Sequence, residues 1–283
     1  MVVDAHQHFW RYNDQDYVWM DDRMQILRKD HTPKDLSPLL TAAGVDGTVA
    51  VQARQMVAET DFLLHLSDRY DWILGVVGWF DFGSHGLEAE VERYSANPKL
   101  VGARELIHDM PDPEYAVTSE HHRAVGLLEQ YGLSYDLLLR PEHIEPATRL
   151  VDMYPNQRFV IDHIGKPDIA GGALSPWRER MMEIARRQNV YCKLSGMVTE
   201  AEWGRWKERD FERYMEICLE AFGAERLMIG SDWPVCTLSG SYQAVMGVVR
   251  KYSERLSEAE RSAILGETCA RFYGLREEKE KNQ

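Results

Sequence analysis

Eight short runs rich in β-branched and apolar residues recur along the chain, at 2–6, 47–52, 73–79, 100–106, 133–139, 159–163, 190–194 and 227–230. Stretches of helical length and period separate them, among them 58–70, 87–95, 119–131, 141–154, 176–188 and 210–222. Several runs, such as Ile73-Leu74-Gly75-Val76-Val77-Gly78, are too continuously apolar for a strand with one wet face and suit parallel strands covered on both sides. An open doubly wound sheet commonly has five or six strands, so eight β/α units without a linker predict a single (β/α)8 barrel. That domain is expected over 1–275, closing on one or two helices in 257–275, with 276–283 as a solvated tail. Residues 9–35 show no clear period yet carry Phe9, Trp10, Tyr12, Tyr17 and Trp19, which predicts a long loop over the barrel mouth, as a lid or as an apolar cluster pinned to the rim.

Charge and apolar runs narrow the function. The formal net charge of −13 over 283 residues argues against nucleic-acid binding, which normally needs a basic face. The longest apolar-plus-glycine run covers 73–80, far short of the roughly 20 residues of a membrane helix. The start lacks a basic segment followed by an apolar one, and the four cysteines at 192, 218, 236 and 269 match neither a redox nor a zinc-ribbon spacing. Both points lead to the expectation of a cytoplasmic protein with reduced thiols. Self-association is left open.

Asp4-Ala5-His6-Gln7-His8 ends the first strand. With a period of two, Asp4, His6 and His8 share a face, which at this end of a barrel is the interior. Two imidazoles so placed can hold one metal ion; a hydrogen-bonded core pair is the alternative. Asp162-His163-Ile164-Gly165-Lys166-Pro167 ends the sixth strand, where alternation lets only one of Asp162 and His163 look inward, and His163 is the better candidate. Ser231-Asp232-Trp233-Pro234 ends the eighth, with Pro234 blocking its continuation and Asp232 at the mouth. His6, His8, His163 and Asp232 would then converge as nitrogen and oxygen ligands for one divalent ion, with Zn²⁺ the default for water activation.

In their order along the chain, these three segments resemble the amidohydrolase superfamily, and within it the amidohydrolase-2 branch of sugar lactonases. Val51-Gln52-Ala53-Arg54, Tyr135-Asp136-Leu137-Leu138-Leu139-Arg140-Pro141 and Lys193-Leu194-Ser195-Gly196 are similar to it too. The resemblance implies a distorted barrel and hydrolysis of a small-molecule lactone. Metal-dependent members place a histidine at the end of strand five, where this chain has Leu139-Arg140-Pro141. That departure argues against a binuclear centre and leaves catalysis without a metal open.

In this reading Asp232 is the general base on water, beside His163, and returns the proton to the ring oxygen. Arg54, Arg104, His108 and Lys193 are candidates for binding substrate, the arginines because guanidinium is always charged and rich in donors. Rim or core ion pairing is their alternative. His31, His65, His85, His121, His122 and His143 fall in loops or helices and are expected to be solvated or capping. Rival readings are a metal-dependent decarboxylase of a small unsaturated or aromatic acid, a Schiff-base aldolase using Lys193, and a barrel that only binds.

Overall fold

The computed structural model describes residues 1–275. The expected tail, 276–283, lies outside the described residues. Eight parallel strands run in chain order: β1 (Val3–Gln7), β2 (Gly47–Val51), β3 (Ile73–Gly78), β4 (Leu100–Glu105), β5 (Ser134–Leu137), β6 (Phe159–Ile161), β7 (Val190–Leu194) and β8 (Leu227–Ile229). Helices alternate with them: α1 (Pro33–Ala43), α2 (Val57–Ser67), α3 (Leu87–Ser95), α4 (Ser119–Gln130), α5 (Ile144–Met153), α6 (Trp177–Ile184), the short α7 (Met197–Glu200), α8 (Glu208–Phe222) and α9 (Tyr242–Ser253). The architecture is a (β/α)8 barrel. After it come α10 (Glu258–Ser262), a π-helical turn (Ala263–Glu267) and α11 (Thr268–Tyr273).

The long loop yields to α1 at Thr32, earlier than the pattern suggests. Asp35 accepts from the Thr32 amide at 2.8 Å and its hydroxyl at 2.7 Å, Pro33 sets the first helical turn, and Gly44 ends the helix with φ 58°.

β8 and β1 share no continuous ladder. They close through single bonds, Asp232 N–H to the His6 carbonyl at 2.8 Å and His8 N–H to the Trp233 carbonyl at 2.7 Å. Asp4 clamps this seam. Its buried carboxylate accepts from the Ser231 amide at 2.8 Å, the Ser231 hydroxyl at 2.6 Å and the Tyr242 hydroxyl of α9 at 3.0 Å. Asp4 therefore does not share the inward face of His6. In its pairing with β2, Asp4 lies opposite Thr48 and Gln7 opposite Ala50, so the register slips between them and strict alternation fails.

The outer core lies between strands and helices. An inner cluster of Val3, Ala5, Val49, Val77, Val160 and Met228 is packed by Phe272 of α11 at the N-terminal end of the barrel. All four cysteines are buried and unbridged. Among the described residues, no helix is long and apolar enough to cross a membrane.

Candidate active site

The strand ends carry two layers of polar residues. In the lower layer Lys193 of β7 is fully buried, 2.5 Å from Asp136 of β5 and 3.0 Å from Asp162. Burial alone would lower its ammonium pKa, but the two carboxylates outweigh that and raise it above the ordinary lysine value. Tyr273 of α11 donates to Asp136 from below at 2.8 Å. Arg104 of β4 reaches Asp162 at 3.0 Å and the Gln52 carbonyl. Burial opposes ionisation of Asp162, yet Lys193, His6 and Arg104 hold its carboxyl well below the usual range.

Both Asp162 and His163 face the centre, which corrects the alternation argument. β6 ends at Ile161, and the backbone then turns left-handed at His163 (φ 53°) and Ile164 (φ 49°), swinging the imidazole inward beside Asp162. Gly196 makes this possible, because a Cβ there would lie 2.6 Å from the His163 ring, and its own φ of 63° suits glycine.

In the upper layer His6, His8, His163 and Asp232 converge. The His6 and His8 Nε2 atoms are 3.2 Å apart, and Asp232 Oδ1 lies 3.3 Å from His8 Nε2, 4.0 Å from His6 Nε2 and 3.9 Å from His163 Nε2. Outer partners orient the rings. His8 Nδ1 donates to the Val51 carbonyl at 2.8 Å, which turns Nε2 toward the centre. His6 Nε2 lies 3.3 Å from the donor-only guanidinium of Arg104, and its Nδ1 lies 3.2 Å from both the Asp162 carboxylate and the Lys193 ammonium. His163 Nδ1 meets the Ser195 hydroxyl at 2.9 Å. Burial holds His6 and His163 well below the ordinary histidine pKa, so both are neutral near pH 7.

The residues fit a divalent cation. The His6 and His8 Nε2 atoms face each other at 3.2 Å, and His6–His8–Asp232 and His6–Asp162–His163 each gather their ligand atoms within 4.8 Å of one another. Charge agrees: Lys193 and Arg104 stand against Asp136, Asp162 and Asp232, and 2 − 3 = −1. Burial raises Asp136 to about 6, so all three are ionised at higher pH. Three imidazoles and a carboxylate suit Zn²⁺.

Above this floor opens a cavity of about 310 Å³, lined by His8, Arg104, His108, His163 and Asp232 among others. His6 lies just beneath it. Two other sequence candidates do not line it. Arg54 is held at the rim by Asp16 at 2.6 Å and Glu59 at 2.7 Å. Lys193 sits a layer below, and an ammonium locked between two carboxylates has no free lone pair with which to form a Schiff base. Trp10, Trp19 and Trp203 line the cavity, whereas Trp233 packs in the core against Phe9. His31 and His121 are buried rather than solvated, whereas His143, also buried, caps the turn after β5 by accepting from the Arg140 amide at 3.2 Å; burial takes His121 down to about 3, and its Nε2 meets the Tyr135 hydroxyl at 3.0 Å.

The sequence reading passed over Asp136 and Tyr273. A charged residue inside a strand covered on both faces must be paired, and that signal could have marked Asp136.

The chain belongs to the amidohydrolase family, whose model matches residues 3–275. It is 40% identical to an L-fucono-1,5-lactonase of Burkholderia multivorans, over 97% of this chain and 96% of that protein. It is 34% identical to an L-fucono-1,5-lactonase of Burkholderia ambifaria, over 96% and 95%. The crystal structure of a Burkholderia multivorans amidohydrolase with bound zinc matches with a TM-score of 0.94 at 39% identity, covering 98% of this chain and 100% of that one. Two solved decarboxylases with TM-scores of 0.67 and 0.69 are 15% and 16% identical, covering 97% and 96% of this chain and 99% and 98% of theirs, and share the fold alone.

Proposed function

We propose that the protein hydrolyses a sugar lactone of the L-fucono-1,5-lactone kind to its aldonic acid. One observation carries the reading: Asp232, set among three imidazoles, forms the floor of a lactone-sized cavity in a chain 40% identical to such a lactonase over nearly its whole length. Asp232 takes a proton from water as the oxygen attacks the lactone carbonyl, and hands it to the ring oxygen as the C–O bond breaks. Burial raises its carboxyl pKa, but His163, His8 and Lys166 more than offset this, so it lies below the ordinary aspartate value and the group is ionised at neutral pH. Acid–base work of this kind typically contributes about 10²- to 10⁴-fold. Arg104 lines the cavity with a fixed positive charge that stabilises the oxyanion. His6, His8, His163 and Asp232 would hold a single divalent ion, Zn²⁺ by donor type, which when bound supplies Lewis acidity at the carbonyl and a more acidic water. The four buried, unbridged cysteines support a reducing, cytoplasmic setting.

Ring opening of an aldonolactone panel, followed as acid release with a pH indicator before and after chelation, tests the assignment. Stereoselective hydrolysis that chelation abolishes and Zn²⁺ restores is the expected result. Activity that survives verified metal removal would assign the step to Asp232 and Arg104 alone, and no hydrolysis of any lactone would end the lactonase reading.

A further inference from the structure

The cavity above Asp232 has two unlike walls. One comes from the loop after β1, with Trp10, Trp19 and Met24, and from the turn after β8, with Val235 and Leu238. Trp10, Met24, Val235 and Leu238 belong to a single apolar cluster, backed by Tyr17, Met20 and Leu27. This wall offers a ligand little to bond with, since the Trp10 indole N–H already donates to the Lys29 carbonyl at 2.9 Å.

The opposite wall comes from the ends of β4 to β7: His108 and Asp109, Arg140, Lys166 and Glu200. Its charges are matched within the wall. Lys166 Nζ is 2.8 Å from Glu200 Oε1, His108 Nε2 is 3.2 Å from Asp109 Oδ1, and Arg140 Nε donates to the His108 carbonyl at 3.3 Å. Lys166 and Glu200 neutralise each other, and burial lowers the His108 pKa and favours its neutral form beside Asp109. A surface of matched pairs presents donors and acceptors side by side. Hydroxyl groups, which do both, fit it.

A 6-deoxy 1,5-aldonolactone is divided in the same way. From the carbonyl carbon, one arm runs through the ring oxygen to C5 and its methyl group, and the other runs through the hydroxyls at C2, C3 and C4. With the carbonyl over Asp232, the arms point to opposite sides. We infer that the Lys166–Glu200 and His108–Asp109 pairs bind the sugar hydroxyls while Met24 and Leu238 receive the C5 methyl, so that the site selects 6-deoxy lactones over 6-hydroxy ones. This rests on the lactonase reading and extends it from reaction to substrate recognition.

The test compares kcat/KM for L-fucono-1,5-lactone, for L-galactono-1,5-lactone, which adds one hydroxyl at C6, and for a hydroxyl-free 1,5-lactone bearing the same methyl. An apolar wall facing an added hydroxyl is expected to disfavour the galactono compound by about 10²-fold, and Leu238→Gln to narrow that ratio about tenfold by supplying a partner. Lys166→Met is expected to lower the ratio of fucono to hydroxyl-free lactone by about tenfold, chiefly through KM, with Glu200→Gln acting in the same direction. Equal use of the fucono and galactono lactones overturns the methyl assignment. An unchanged fucono to hydroxyl-free ratio in both Lys166→Met and Glu200→Gln overturns the hydroxyl assignment. Failure of the wild-type protein on all three lactones is a different result, because it removes the lactonase reading itself.

Discussion

At the bottom of the polar core Lys193 spans Asp136 and Asp162 at 2.5 and 3.0 Å, and Tyr273 closes the set from beneath. One layer higher, Asp232 comes no nearer than 3.3 Å to any imidazole and is bridged to no lysine or arginine among the described residues. Both layers are buried and rich in carboxylate, but only the lower one carries fixed cations against it. Charge-paired groups hold a shape; a carboxylate without a fixed cation has capacity left for a water, an ion or a substrate. The difference teaches that fixed counter-charge, rather than burial, separates scaffold from chemistry in this barrel.

The harshest way to break the comparison is Lys193→Met, which leaves Asp136 and Asp162 buried against each other. Uncompensated charge of this kind typically costs about 3–5 kcal/mol, read by urea unfolding, and activity should fall together with the folded fraction. Unaltered stability would mean that the lower layer is not scaffold. Asp232→Asn should do the opposite: about 10²- to 10⁴-fold loss of turnover with unfolding little changed. A smaller effect sharpens the picture at the seam. Asp4 ionises at about 6 when folded, against 3.8 for an ordinary aspartate, because burial outweighs its hydrogen bonds. Between those values the native state binds more protons than the unfolded chain, so the contribution of Asp4 is full below about pH 4 and is lost as pH rises through 6. Melting of wild type and Asp4→Asn across pH 4–8 should therefore shift in favour of the variant by at most about 3 kcal/mol. A difference constant with pH would show that the carboxylate does not titrate there.

Much of the fold was legible because parallel strands buried on both faces read as continuous apolar runs, and all eight are present. The ends were less legible. Asp162–His163 and Leu138–Leu139 are strand-like in composition but leave the ladder to shape the mouth. Of the candidate site, His6, His8, His163 and Asp232 were visible as polar residues where apolar ones were due. Arg54 and Lys193 looked the same by that criterion, and only their partners, Asp16 and Glu59 for one and Asp136 and Asp162 for the other, set them apart. Two of these pairings, Arg54–Asp16 and Lys193–Asp136, join residues 38 and 57 positions apart, beyond the reach of any local pattern.

The clamp of Asp4 on Ser231 and the reach of Tyr273 to Asp136 bear on how the molecule is made. One grip ties the first strand to the last, and the other needs the final described helix. A chain emerging from the ribosome can lay down most of its strands and still lack both ties. Until residue 273 is free to dock, Asp136 lacks its Tyr273 partner and the mouth has no fixed floor, so lactone-opening capacity should arrive only once that residue has been made, in a single step.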